Sequence, residues 1–502
     1  MKKPRLLNSR ACALALLPLF FAAGCKTVSD MEKTRNAYES GNFQTALAVT
    51  GKHVAKQEDE SLSNRALLWR LNHAAILAAD GRHEAAEPHW EAAQPMFEKA
   101  WENERFSVTQ NTLGLFVPGI KDTTYYARPH EGVMFFTYRM LNALHLGDAD
   151  EARRYLILSM RFRDEVVAEN AARVEKRKGK DNAALAQSAT TDGLNNSQED
   201  TSEMRGDSSK VAGSVFDAVE KQRIDELHED LEGYANYANP LTGFLTYLFL
   251  RTQGTGLLLT DNADAQRELD ELRVFAPRNS VVREAIAQDA APLRNTVFVF
   301  FETGLAPYQE EKRFDVPLPG GFVARWFPSY CGVAYPRLVS NSRYVPRLNV
   351  SAAGQQVSTE PLVNFDAIVQ QAFDDEWPGV LARQIAQAVV NVTVNAALNY
   401  AGNRVADNID NPYMRIGARI GTGAAAAGLS YAMIGADTHS WELLPKQIHV
   451  ARLDIPDDRK LTLSFPGWRQ DVTLDAGDVM AVWVKSTSPW QAAPLATQFK
   501  FK

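Results

Sequence analysis

Along the first half of the chain, apolar residues fall at helical spacing. In residues 67–80 (LLWRLNHAAILAAD) Leu68, Leu71, Ile76 and Ala79 share one face, and in 133–146 (VMFFTYRMLNALHL) Met134, Tyr138, Leu141 and Leu144 do the same. A glycine closes each run, and an alanine follows five positions later. The pairs are Gly41 and Ala46, Gly81 and Ala86, and Gly147 and Ala152. Glycine allows the left-handed turn that ends a helix, and a small alanine lets the next helix pack closely. The pattern predicts helix–turn–helix units. Between the second and third lies FSVTQNTLGLFVPGIKDTTYYARPH, which Pro118, Gly119 and Pro129 keep from being one helix.

These units resemble the tetratricopeptide repeat (TPR), a stacked helix–turn–helix module. A fourth, degraded unit is expected over 240–290. There Asp261-Asn262-Ala263-Asp264 echoes the third turn, Gln266 replaces the alanine, and Pro277 closes the helix. Between the third and fourth units the composition shifts. Residues 176–210 hold no aromatic and almost no large aliphatic side chain, so the segment cannot offset its ordering entropy by burial and is expected as a flexible loop.

From residue 296 the period shortens. TVFVFFETG, GFVARWFPSY and CGVAYPRLV, then QIHVARLDIP, KLTLSF, DVTLDAGDVMAVWVK and LATQFKF, predict a small β-sandwich or sheet. A helical-hairpin insertion is expected over 362–436. In its first arm Gln384, Gln387, Asn391, Asn395 and Asn399 share one face, and Ile385, Val389, Val392 and Ala396 another. Val390–Asn395 alternates with period two and competes with helix. The second arm, Ile420–Ala436, is uncharged, and Gly417, Gly421, Gly423, Gly428 and Gly435 allow close helix contact. Such a hairpin could pack on the sheet, form a seam with a second copy, or enter a membrane; its Asn and Gln residues oppose the last.

The fold expected is therefore α+β. TPR-like helices occupy 25–175, helices resume over 211–292, strands fill 293–361 and 437–502, and the hairpin stands between the strand regions.

The N-terminus states a destination. Lys2, Lys3, Arg5 and Arg10 precede the short apolar run Ala11–Gly24, as in a secretory signal. The run ends Ala22-Ala23-Gly24-Cys25, which resembles a bacterial lipobox. That resemblance implies cleavage before Cys25 and diacylation of its sulfur. Lys26 after the cysteine resembles the outer-membrane sorting pattern, with the body expected to face the periplasm. Removing residues 1–24 takes away four basic side chains and no acid, so the net charge of −7 becomes −11. That charge argues against a nucleic-acid partner. Of three cysteines, Cys12 leaves with the signal and Cys25 is lipidated. Cys331, in SYCGVAY, is expected to be buried in a strand.

Tyr126 and Glu131, Asn239-Pro240, Phe301–Pro307 (FETGLAP), Ala436–Trp441 (ADTHSW) and Leu444-Pro445 together resemble a group of uncharacterised bacterial envelope lipoproteins. This chain carries His439 where that group usually has arginine. The resemblance implies a helical front half, a strand-bearing back half and an envelope location, and marks Tyr126, Glu131, Asp437 and Trp441 as candidate partner-binding residues.

Catalytic patterns are sparse. His83-Glu84 opens an HExxH-like run without its second histidine. There is no GxSxG, no phosphate-binding loop and no CxxC pair. Asp437, His439 and Ser440 sit on one loop, whereas a triad draws its members from separate elements. Asp374-Asp375-Glu376 reads as a solvated stretch beside the helix. No catalytic residue, metal or cofactor is expected. The reading is a lipid-anchored envelope scaffold that holds a protein partner through its repeats. The alternatives are an envelope hydrolase or polymer-modifying enzyme sited near Asp437–Trp441, and an assembly of identical chains through the Gly-rich hairpin.

Overall fold

The computed structural model describes residues 29–56, 64–110, 125, 127–178, 201–226, 239–253, 259–288, 293–318, 330–419, 421, 434–491 and 493–502. Helices make up the first half, and every described strand lies in the second, together with further helices. The front helices are α1 (Asp30–Glu39), α2 (Phe43–Lys56), α3 (Asn64–Ala79), α4 (His83–Gln110), α5 (Pro129–Leu146) and α6 (Ala149–Lys178). α1–α2, α3–α4 and α5–α6 pack as antiparallel pairs, and the first two pairs also touch through α2 and α3.

Their three turns are built alike. Gly41, Gly81 and Gly147 stand at φ of +75°, +74° and +76°. The next residue donates its backbone N–H to the carbonyl five positions back: Asn42 to Ala37 (2.8 Å), Arg82 to Leu77 (2.9 Å) and Asp148 to Ala143 (2.9 Å). Asn42 and Asp148 then cap the following helices, accepting from Thr45 N (3.1 Å) and Glu151 N (3.0 Å). Ala46, Ala86 and Ala152 are fully buried where paired helices meet.

The later helices are α7 (Thr201–Glu226), α8 (Pro240–Gln253), α9 (Leu259–Phe275) and α10 (Ser280–Gln288). Asp261–Asp264, expected as a turn, lies inside α9, where Asp261 takes a bidentate bond from Arg153 of α6 (2.6 and 2.7 Å). Arg163 of α6 grips buried Glu268 of α9 with two nitrogens, one to each carboxylate oxygen (2.6 and 2.8 Å), where Arg153 uses a single nitrogen for both. The loop expected over 176–210 is helical at both ends, and 179–200 lie outside the described residues. Val211, Val215 and Val219 of α7 are buried at helical spacing. A helix anchored there extends backward to Thr201 without a second nucleation cost.

The strands are β1 (Thr296–Thr303), β2 (Tyr308–Pro317), β3 (Tyr330–Val339), β4 (Asn349–Ala352), β5 (Gln355–Ser358), β6 (Glu360–Asn364), β7 (Gln447–Asp454), β8 (Lys460–Phe465), β9 (Trp468–Thr473), β10 (Val479–Ser486) and β11 (Leu495–Lys500). A five-stranded sheet has the order β11-β10-β1-β7-β6. Within it β1 and β10 run parallel and the other pairs antiparallel. A four-stranded sheet is ordered β5-β4-β8-β9, and β2 pairs with β3.

Alternation along β1 assigns the layers. Phe298 and Phe300 face the helices, in one core with Leu141, Phe244, Trp483 and Phe499. Val297, Val299 and Phe301 face the second sheet, packing with Val350, Leu461 and Leu463. The result is helix on sheet on sheet, and the front and back halves share a core. A third core joins α7, β2 and β3 to α11 (Phe365–Asp407). α11 is a single 43-residue helix, so helical periodicity prevails over the local alternation at 390–395. Residues 420 and 422–433, most of the expected second arm, lie outside the described residues.

Helices α4, α5 and α6 meet closely at Gly132, where an added Cβ would stand 2.3–2.5 Å from ring carbons of Phe162 and Phe97. Both rings are buried and have nowhere to move. Gly132→Ala should cost about 1–3 kcal/mol of stability through overpacking, read as a lower midpoint in urea unfolding. An unchanged midpoint would mean this contact is slack.

Candidate functional site

Two polar centres lie where the helical layer meets the rest of the chain. The first surrounds the N-terminus of α5. Pro129 opens that helix, and Glu131 reaches back over its first turn. Glu131 Oε2 accepts from Arg128 N (2.9 Å) and from the Tyr125 hydroxyl (2.7 Å), while Oε1 accepts from Trp441 N (2.7 Å). Arg128 then spans the other direction. Its Nε donates to Glu376 of α11 (3.0 and 3.2 Å), and a terminal nitrogen donates to the His439 carbonyl (2.8 Å). Ala436 N donates to Glu311 of β2 (2.9 Å), and Arg35 of α1 pairs with Glu442 (2.7 Å) while stacking on Tyr308. The segment 436–442 is thereby bound to α1, α5 and β2, and through Arg128 to α11.

This centre brings together three of the four residues that the sequence singles out. Glu131 (1% exposed) and Trp441 (3%) are buried, and the Trp441 ring lies edge-on to Trp90 (6.2 Å) and Tyr138 (5.8 Å). A docking protein could not touch either without opening the clasp. Asp437 lies at its partly exposed edge. Tyr126 is outside the described residues, and the adjacent Tyr125 supplies the hydroxyl to Glu131. Cys25 and the signal are also outside.

Asp437 Oδ1 is 2.9 Å from His439 Nδ1 and also accepts from His439 N (3.1 Å). Burial works to raise the Asp437 pKa, but the His439 bonds and the Arg128 charge outweigh it and hold it below the usual value. A carboxylate orienting an imidazole is half of a hydrolytic relay. The neighbouring Ser440 Oγ is buried with no hydrogen-bond partner, so these three residues form no continuous relay.

The second centre comes from the parallel strands. β1 and β10 are buried throughout, and each carries one charge near its C-terminal end. Register places them opposite each other, Glu302 beside Lys485. They form an ion pair at 2% and 9% exposure. Glu302 also accepts from the Tyr138 hydroxyl (3.1 Å) and Trp483 Nε1 (3.0 Å). The Lys485 ammonium stands 5.4 Å from the Tyr38 ring centre and 5.6 Å from that of Tyr138. Burial disfavours the charged ammonium, but Glu302 outweighs it and raises the Lys485 pKa. Beside this pair is a cavity of about 50 Å³, bounded by α3, α4, α5, β1, β10 and β11. The sequence contained a usable signal for the centre, a lone charge at the end of an otherwise apolar strand, in VFVFFE and again in MAVWVK.

His83, of the HExxH-like run, stacks on His145 at 4.0 Å. No group of three or more His, Cys, Asp or Glu among the described residues could hold a metal ion. Cys331 is buried in β3, and burial pushes its thiol up to about 12, leaving it protonated and unreactive. No described helix is long and apolar enough to cross a membrane. No protein-family model matches the chain, and no curated protein or solved structure is significantly similar to it.

Proposed function

We propose that this chain is a lipid-anchored scaffold of the bacterial cell envelope, attached through Cys25 to the outer membrane and facing the periplasm. Its TPR-like hairpins form a rigid frame that holds a partner protein, and the chain performs no chemistry of its own. The lipobox and the resemblance to envelope lipoproteins support the location, and the three matching turns support the repeat reading. The hairpins share a core with Phe298 and Phe300 of the chain's own sheet, so in this reading they supply the frame and a neighbouring exposed surface meets the partner.

One observation carries the scaffold reading. Among the described residues eleven large apolar side chains are exposed, and six of them, Leu398, Tyr400, Val405, Tyr413, Met414 and Ile416, fall within one short stretch, Tyr413 at 84%. They cluster on the distal part of α11 and just beyond it. Concentrated apolar exposure of this kind marks an interaction surface. Arg404, Asp407, Asp410 and Arg415 interleave with it, so the partner offers an apolar strip with charges of both signs at its rim.

A photo-crosslinking residue at Val405 or Tyr413 of the full-length chain in living cells should capture one dominant envelope protein, while the same residue at exposed Ile157 on α6 should not. An adduct of twice the chain mass at both positions would replace this reading with self-assembly. Equal yields at Ile157 and Tyr413 would remove the α11 surface. The hydrolase alternative keeps one supporting feature, the Asp437–His439 pair. It predicts envelope-polymer cleavage that Asp437→Ala abolishes while the chain stays folded.

A further inference from the structure

The cavity beside Glu302 and Lys485 has a chemistry that the proposed scaffold role does not use. On one side it is lined by Ala75, Ala79 and Leu495, and on the other by aromatic and polar groups. Two of those groups lack partners. Trp90 is 0% exposed, and its indole N–H is buried without an acceptor. The His83 Nε2 atom is likewise buried without a partner.

The bonds around His83 assign its tautomer. Asn142 donates its amide hydrogens to the His83 carbonyl (3.2 Å) and to Glu87 (2.7 Å). Its Oδ1 therefore accepts from His83 Nδ1 at 2.9 Å. Nδ1 carries the hydrogen and Nε2 a lone pair, and burial lowers the His83 pKa and keeps the ring neutral. The residues that line the cavity thus include one with an unfilled donor and one with an unfilled acceptor. Leaving either unmet in a dry interior costs about 1–3 kcal/mol.

An occupant must give and accept hydrogen bonds, carry no net charge beside the already paired Glu302 and Lys485, and reach both unpartnered atoms from within the cavity. Water meets all three conditions. We propose that this cavity is a hydration site that binds ordered water between Trp90 and His83, its 50 Å³ exceeding what one water needs. The water gives a hydrogen to His83 Nε2 and accepts one from Trp90 Nε1. It is a bound part of the seam between α4, α5 and the sheet.

The competing account is a dry cavity in which the Trp90 N–H points at the Trp441 ring, its T-shaped neighbour at 6.2 Å. A crystal structure of the mature chain at about 1.5 Å, with and without xenon pressure, separates the two. The proposal expects ordered water within hydrogen-bond distance of both Trp90 Nε1 and His83 Nε2, and no xenon. A xenon peak in the cavity, an empty cavity, or side chains that close it would each overturn the proposal, because dry apolar cavities take xenon and hydrated ones do not. A larger bound molecule would make water the wrong ligand. Ala79→Leu, which fills the apolar wall, serves as a second arm. It should expel ordered water from the cavity, and unchanged water in a folded Ala79→Leu chain would place the water outside this cavity.

Discussion

Lys485→Met should remove about 3–5 kcal/mol of stability, the usual cost of leaving a buried charge without its partner. The loss would appear as a lower urea midpoint with an unchanged slope. Glu302 lies inside the seam between sheet and helices. With the ammonium gone, its carboxylate keeps only the Tyr138 hydroxyl and the Trp483 N–H as donors. Two neutral donors do not replace a cation in a low-dielectric setting. Methionine keeps the length of the lysine stem, so the loss reports charge and not a void. The double variant Glu302→Gln/Lys485→Met should recover most of the loss, because exchanging a buried ion pair for neutral groups of similar volume is often close to neutral. If Lys485→Met falls within 1 kcal/mol of the parent, water from the adjoining cavity replaces the ammonium at Glu302 and the pair contributes little. If the double variant loses the sum of the two single losses, the residues are not coupled and the pairing account fails.

The contrast between this centre and the repeat turns shows what could be read from the sequence. Gly41, Gly81 and Gly147 were legible because a helix stop is local: the left-handed residue, the residue after it and the alanine five positions on all lie within six residues. The strand runs were legible for the same reason. Pairing was not. β1 and β10 are adjacent in the sheet but about 180 residues apart in the chain, and nothing in VFVFFE or MAVWVK names the other as neighbour. The second arm of the expected hairpin falls on undescribed residues, whereas α7 reaches back into the expected loop because Val211, Val215 and Val219 anchor it from outside that window. Glu131, Asp437 and Trp441 were singled out together by resemblance alone. Their physical connection, one carboxylate bridging a helix start and a distant loop through Trp441 N, depends on a fold that composition and spacing do not specify.

The buried histidines make acid the most effective solution variable. Burial is the leading cause in every case. It lowers His130 and His145 to about 3 and His73 and His449 to about 4, with His83 and His89 also below the usual value. Nearby cations add to the effect, Arg128 at His130, Arg347 at His449, and Arg70 and Arg82 at His73. In the unfolded chain these side chains bind protons near pH 6.5. Between there and about pH 3 the unfolded state therefore holds more protons than the folded one, and stability falls as pH falls. Each pH unit by which a pKa is lowered corresponds to about 1.4 kcal/mol. Keeping His130 and His449 neutral, both almost completely buried, therefore costs the fold a sizeable part of a typical domain margin of about 5–15 kcal/mol once the pH falls well below their unfolded value. Glu442, Glu271 and Asp366 work in the opposite sense, because burial raises their pKa values and the folded state keeps their protons longer as pH rises. Asp30 and Asp437, held below the usual carboxylate range by their partners, lose stability toward acid along with the histidines, so the balance is a net loss. The urea midpoint should hold steady from pH 8 to 7 and drop progressively from pH 6.5 to 4. His130→Leu removes one proton-binding group and should flatten that descent, whatever it does to the midpoint at pH 8. A midpoint that stays level down to pH 4.5 would mean that these imidazoles take up protons inside the fold.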